Sequence, residues 1–266
     1  MLYNIYMNNL KKIITLLSVL VLFFIIVFTI IPNRNKRHLE VNPDELINIS
    51  TTTEKTVNES NDFYNINIKY PVEIRDINRD VEKYIKSNLE SVKSEWAMDG
   101  DLYKNELKLR KDFPDRPIVK YEYNVSYEKV ESNSLNTVSY IIKSYTFTGG
   151  AHGNTALQTF TFNKNGLVTI DNLLDLQKGN DKKITLILAD KLQKTLGEQY
   201  NEDMLKEGLG LSGDSIGFLY QSNLMRFVIL DEGIKFIFDQ YQVAPYASGN
   251  PEVLLSWDEL DVYLVR

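Results

Sequence analysis

Apolar positions along the chain fall into three patterns, and each predicts a different element. Residues 13–31, IITLLSVLVLFFIIVFTII, form an apolar run interrupted only by Thr15, Ser18 and Thr29. As a helix it would be about 28 Å long, close to the thickness of a bilayer's hydrocarbon core. A secretory signal carries a shorter apolar stretch followed by small residues. Here Pro32, Asn33, Arg34, Asn35, Lys36 and Arg37 follow. The pattern therefore predicts an uncleaved, single-pass anchor in the cell membrane behind a short tail, residues 1–12. Residues 32–47 lack aromatics and contain the turn signal Asn42-Pro43-Asp44, which reads as a tether.

The second pattern has helical spacing. Ile77, Val81, Tyr84, Ile85, Leu89, Val92 and Trp96 make one stripe with charged residues between them, ended by Asp99-Gly100. A second helix is expected over 181–196, burying Ile184, Ile187, Leu188 and Leu192. The third pattern is strand-like. Residues 51–58 and 63–70 read as two strands joined at Ser60-Asn61. Residues 118–130, 137–147 and 155–163 are dense in Tyr, Val, Ile, Thr and Phe, and Asn165-Gly166 turns into 167–170, giving an antiparallel meander. Residues 225–230 and 234–239 flank Asp231-Glu232-Gly233 as a hairpin, and 252–256 is a short strand before a closing helix over 257–265. Strands and helices come in runs, so the expected class is α+β: antiparallel sheets with two main helices packed on them. The folded part divides into an N-terminal half, 48–165, and a C-terminal half, 166–266.

Charge changes the picture. Residues 1–38 hold five Lys and Arg and no acid, leaving 25 basic against 36 acidic residues beyond them, a net charge of about −11. Such a surface disfavours nucleic acid and anionic lipid, and either steers a basic partner or serves solubility alone. Lys11 and Lys12 precede the apolar run while Arg34, Lys36 and Arg37 follow it, so flanking charge leaves orientation open. The chain has no cysteine, which excludes a lipoprotein anchor, disulfides and thiolate metal sites.

Two loops are candidates for function. Thr148-Gly149-Gly150-Ala151-His152-Gly153-Asn154 lies between predicted strands, and three glycines in five residues permit a sharp, exposed loop. His152 is the only histidine after residue 38, which excludes a His-rich metal site. It reads as a residue holding the loop, as a ligand contact, or as a catalytic base, although no nucleophile elbow accompanies it. Tyr241-Gln242-Val243-Ala244-Pro245-Tyr246-Ala247-Ser248-Gly249 combines two tyrosines with a stiffening proline. That is the chemistry of a recognition surface, unless Tyr246 simply caps the core. The candidate binding residues are Gly149, Gly150, His152, Asn154, Tyr241, Pro245 and Tyr246. They are expected to lie together at one end of the fold. No cofactor, metal or catalytic residue is assigned.

The segments Phe147–Thr155, Phe162–Leu174, Phe238–Gly249 and Glu252–Leu260 resemble the paired domain found outside the membrane in anti-sigma factors of the RsiV type and ahead of the catalytic module in deacetylases of the PdaC type. The Tyr70-Pro71 strand and the helix after it resemble the first half of that pair. The resemblance implies an extracytoplasmic location and, from the RsiV type, a receptor for lysozyme whose tether is cut on binding to release a sigma factor. Residues 1–12 are too short to hold a sigma factor, and no deacetylase module follows Arg266, so neither output is expected. The reading is a membrane-anchored binding or sensing module at the cell wall, with a basic wall-active protein such as lysozyme as partner. The alternative is an enzyme or carbohydrate-binding domain acting on peptidoglycan.

Overall fold

The computed structural model describes residues 53–72, 78–98, 100, 104, 108, 119–212 and 218–265. The expected tail, anchor at 13–31 and tether at 32–47 lie outside the described residues. Among the described residues no helix is long and apolar enough to cross a membrane.

Alternation builds the first sheet. On β2 (Tyr64–Val72), Ile66, Ile68 and Tyr70 are buried while Asn67 and Lys69 are exposed, the period of a sheet covered on one face. Strands β1 (Thr53–Ser60), β2, β3 (Tyr121–Ser132), β4 (Thr137–Phe147), β5 (Asn154–Asn163) and β6 (Gly166–Val168) lie side by side in chain order. The meander β3–β6 is antiparallel, as is β1 with β2. The one departure from the expected antiparallel sheets is that β2 and β3 run parallel, Tyr64 opposite Tyr121. A parallel pair needs a crossover, and the connection carries helix α1 (Asn78–Met98). Its stripe, with Val81, Ile85 and Trp96 buried and Tyr84, Leu89 and Val92 half-buried, packs on Ile66, Ile68, Tyr140, Ile142 and Phe162.

The short helix α2 (Ile170–Leu173) leads to α3 (Asn180–Leu196), the second expected helix, which buries Ile184, Leu188 and Leu192. The stretch after it forms a 3-10 turn (Gly197–Gln199) and α4 (Glu202–Gly208), capped where the Asn201 side chain accepts from Met204 N at 2.9 Å. After α5 (Phe218–Asn223) come β7 (Phe227–Leu230), β8 (Gly233–Ile237) and β9 (Glu252–Ser256), a three-stranded antiparallel sheet. One face of this sheet, with Phe227, Ile229, Ile234, Phe236, Val253 and Leu255, packs on α3. The other turns Val228 and Ile237 toward Ile141 and Leu157 of the first sheet.

The expected closing helix is shorter than its pattern. Only α6 (Trp257–Leu260) is α-helical, and a 3-10 turn (Asp261–Tyr263) follows. Leu264 then bridges to Leu174, because the amides of Asp175 and Val265 bond the carbonyls of Tyr263 and Leu173 at 2.7 and 2.9 Å. Those cross-chain bonds replace the intrahelical ones.

Candidate functional site

The β4–β5 connection contains the first candidate loop, and the chain between β8 and β9 contains the second. They meet. The His152 ring stacks on Tyr246 with centroids 4.1 Å apart and planes at 24°, and Tyr241 stands 5.5 Å from Tyr246. His152 Nδ1 donates to the Gly153 carbonyl at 3.0 Å, since a carbonyl only accepts. In the neutral ring Nε2 is then an acceptor, 3.3 Å from the Tyr241 hydroxyl. The Tyr246 hydroxyl donates to the same Gly153 carbonyl at 3.4 Å. His152 and Tyr241 are exposed and Tyr246 is half-buried, so the three rings form a surface platform with one edge anchored in the fold.

Backbone constraints fix the platform. Gly149 has φ +84° and Gly249 φ +63°, left-handed values that suit glycine. Tyr241 holds φ +64° despite its side chain, a cost of about 1–3 kcal/mol that the surrounding contacts must offset. Gly153 is buried, and a Cβ there would lie 2.3 Å from the outer end of the Tyr145 ring, so a side chain at this position would force that ring to move. Pro245 is exposed and starts the 3-10 turn Tyr246–Ser248, its carbonyl accepting from Ser248 N at 2.9 Å. Gly150 within the loop and Asn154 at the start of β5 are exposed. The structure therefore brings His152, Tyr241 and Tyr246 into contact, while Gly149, Gly150, Asn154 and Pro245 shape the loops around them.

The residues that hold the loops together escaped the sequence reading. β6 covers only Thr161–Asn163 of β5, which leaves the outer edge of β5 open near the site. Gln240 Oε1 accepts from Thr155 N at 3.0 Å and Asp239 Oδ1 from Leu157 N at 3.4 Å, fastening the second loop along that edge. Asp239 Oδ2 pairs with Arg226 Nη2 at 2.8 Å, and Arg226 also donates to Gln242 Oε1 at 2.9 Å. Gln242 passes the connection to Asn223 at 3.1 Å, and Asn223 to the Leu209 carbonyl at 2.9 Å. Burial pushes the Asp239 carboxyl above its ordinary range, with Arg226 and the Leu157 amide acting the other way. The polar run Asp239-Gln240-Tyr241-Gln242 was the available signal, but it reads as an ordinary loop until its partners are known.

His152 bonds a backbone carbonyl and a phenol. Among the described residues it has no carboxylate partner of the kind that orients a general base. No group of three His, Cys, Asp or Glu among them could hold a metal.

Comparison with known proteins fits this architecture. The family described as Deacetylase PdaC matches residues 57–155, and the family described as Protein of unknown function (DUF3298) matches residues 174–258. The Bacillus subtilis (strain 168) peptidoglycan-N-acetylmuramic acid deacetylase PdaC is 30% identical over 136 residues, 50% of this chain and 27% of that protein. The match thus spans about a quarter of that relative's length. A DUF3298 family member from Bacteroides fragilis NCTC 9343 superposes with TM-score 0.55 at 17% identity, over 81% of this chain and 94% of that one. One from Pseudomonas aeruginosa PAO1 gives 0.52 at 13% identity, over 84% and 97%. These two likenesses concern the fold. His152 lies in the first matched region and Tyr241 and Tyr246 in the second, so the platform is built by both. The chain thus matches a PdaC-type model followed by a DUF3298 model, the pair that its two loop motifs resemble.

Proposed function

We propose that this chain is a binding module at the cell wall, anchored through residues 13–31 with its folded part extracytoplasmic, and that the His152–Tyr241–Tyr246 platform contacts its partner. The observation that carries this reading is the His152–Tyr246 stack beside an exposed Tyr241. Rings fixed by their own neighbours lose little freedom on binding and offer large contact area. The net charge of about −11 beyond residue 38 favours a basic partner, and the resemblance to RsiV-type receptors points to a lysozyme-like muramidase. Peptidoglycan itself is the second reading, favoured by the named substrate of the Bacillus relative. The same rings could stack on sugar.

The full-length chain in mild detergent is incubated with immobilised lysozyme and, separately, with insoluble peptidoglycan. Retention on lysozyme, weakened by about 2 kcal/mol or some thirtyfold in Tyr246→Ala with the melting temperature held, supports the proposal. Retention only by peptidoglycan, lost in the same variant, moves the ligand to the glycan. Retention by neither, or equal retention by both proteins, sinks the platform as a binding surface. Protease added to intact cells tests the topology separately: protection of the folded part would refute the extracytoplasmic placement.

A further inference from the structure

The second platform loop opens with a turn that is clamped at both ends. Gln242 N donates to the Asp239 carbonyl at 3.1 Å, closing a β-turn over residues 239–242 with Gln240 and Tyr241 at its centre. Asp239 N donates to Gln242 Oε1 at 3.1 Å, and Arg226 Nη2 bonds both Asp239 Oδ2 and Gln242 Oε1, at 2.8 and 2.9 Å. Gln240 Oε1 accepts from Thr155 N at 3.0 Å, and Gln242 Nε2 donates to Asn223 Oδ1 at 3.1 Å. The Gln242 carbonyl lies so close to Gly208 that a Cβ on that glycine would collide with it. Asp239, Gln240 and Gln242 are thus fastened by their own side chains. The remaining residue of the turn is Tyr241.

Tyr241 is third in the turn and has φ +64°. A turn with a positive φ at its third position favours glycine there, or asparagine. Asn136 and Lys178 also have positive φ without being glycine, and Tyr241 is the one aromatic among such described residues. Its side chain gives the fold little in return. It is 50% exposed, and its ring and hydroxyl meet His152 and Tyr246, the other members of the platform.

We infer that Tyr241 is the specificity-determining residue of the platform, held at a glycine position because the partner reads its side chain. Strained backbone of this kind persists only where the surroundings over-determine it, and it concentrates at functional sites. The clamped turn is such a surrounding. It mounts the ring rigidly before a partner arrives, which limits the freedom lost on binding. The role rests on the platform reading above and adds a sign to it: the side chain that the partner needs is one without which the fold is more stable.

The full-length chain in mild detergent is compared with Tyr241→Gly and Tyr241→Asn, which introduce the residues that best accept a positive φ. Melting temperature is measured together with retention on immobilised lysozyme and on insoluble peptidoglycan. Both variants should melt about 2 °C or more above wild type and be retained on lysozyme about tenfold more weakly. The opposite signs are the test, since a tyrosine with a purely structural role would lower stability and retention together. Asparagine keeps a Cβ, so a loss shared by both variants does not come from glycine loosening the turn. The same loss on peptidoglycan alone would support the role and move the ligand to the glycan. No rise in melting temperature in either variant, or retention equal to wild type, would overturn the role while Tyr246→Ala still reports on the platform. Retention of wild type by neither probe sinks the platform reading, and this role with it.

Discussion

The two faces of the six-stranded sheet are covered in different ways and are built differently. Beneath α1 the face is mainly apolar, with Ile66, Ile68, Tyr140, Ile142 and Phe162, and the Tyr123 and Ser144 hydroxyls are buried among them. Beneath the second sheet the same strands present Ser139, Thr159 and Thr161, all buried, beside Ile141 and Leu157. The hydroxyls have a purpose. β7 is an edge strand, with β8 on one side only, and its outward amides would be orphaned in the core. Thr159 Oγ1 accepts from Phe227 N at 3.0 Å and Ser139 Oγ from Ile229 N at 3.3 Å, while Ser139 and Thr161 bond each other at 2.8 Å. A helix satisfies its own backbone and demands no partners from the face it covers; an edge strand must be given them.

The largest effect should come from the helix-covered face. Phe162 is fully buried there, and Phe162→Ala should cost about 3–5 kcal/mol in chemical denaturation. A loss below about 1 kcal/mol would mean that this face is not a packed core.

A smaller loss tests the other face. Ser139→Ala removes little volume but strands the Ile229 amide, for an expected cost of about 1–3 kcal/mol. Hydrogen exchange at Ile229 should accelerate alongside it. Stability equal to wild type would show that the hydroxyls are tolerated there and not required.

The smallest effect extends the comparison to the edge of β5, where Asp239 bonds Leu157 N at 3.4 Å. Its carboxyl titrates higher in the folded chain than in the unfolded one. Its contribution is therefore fully present below the ordinary aspartate range and is lost as pH rises through the raised value. Glu82 and Glu259 are lowered by bonding to Lys55 and Lys191, and their contributions run the other way, being lost on acidification. Asp239→Asn should remove the first slope and leave the second, as read from melting temperature against pH. An unchanged profile would place Asp239 in solvent.

What the sequence determined by itself was local. The stripe from Val81 to Trp96, the alternation in β2 and the meander through Asn165-Gly166 were legible because each depends on neighbours within a few residues. Both platform loops were legible for the same reason, since glycine, proline and paired tyrosines mark an irregular and sticky segment wherever it sits. Tertiary structure decided the rest. Nothing in β2 or β3 alone distinguishes parallel from antiparallel pairing; the crossover through α1 does. Ser139 and Thr159 look like ordinary strand residues until β7 lies across them. The contact of His152 with Tyr246 joins positions 94 residues apart, fixed by Gln240 and Asp239 on an edge left open because β6 ends after three residues. Hydrogen-bond demand at strand edges depends on what lies beside them in space, and local pattern does not encode it.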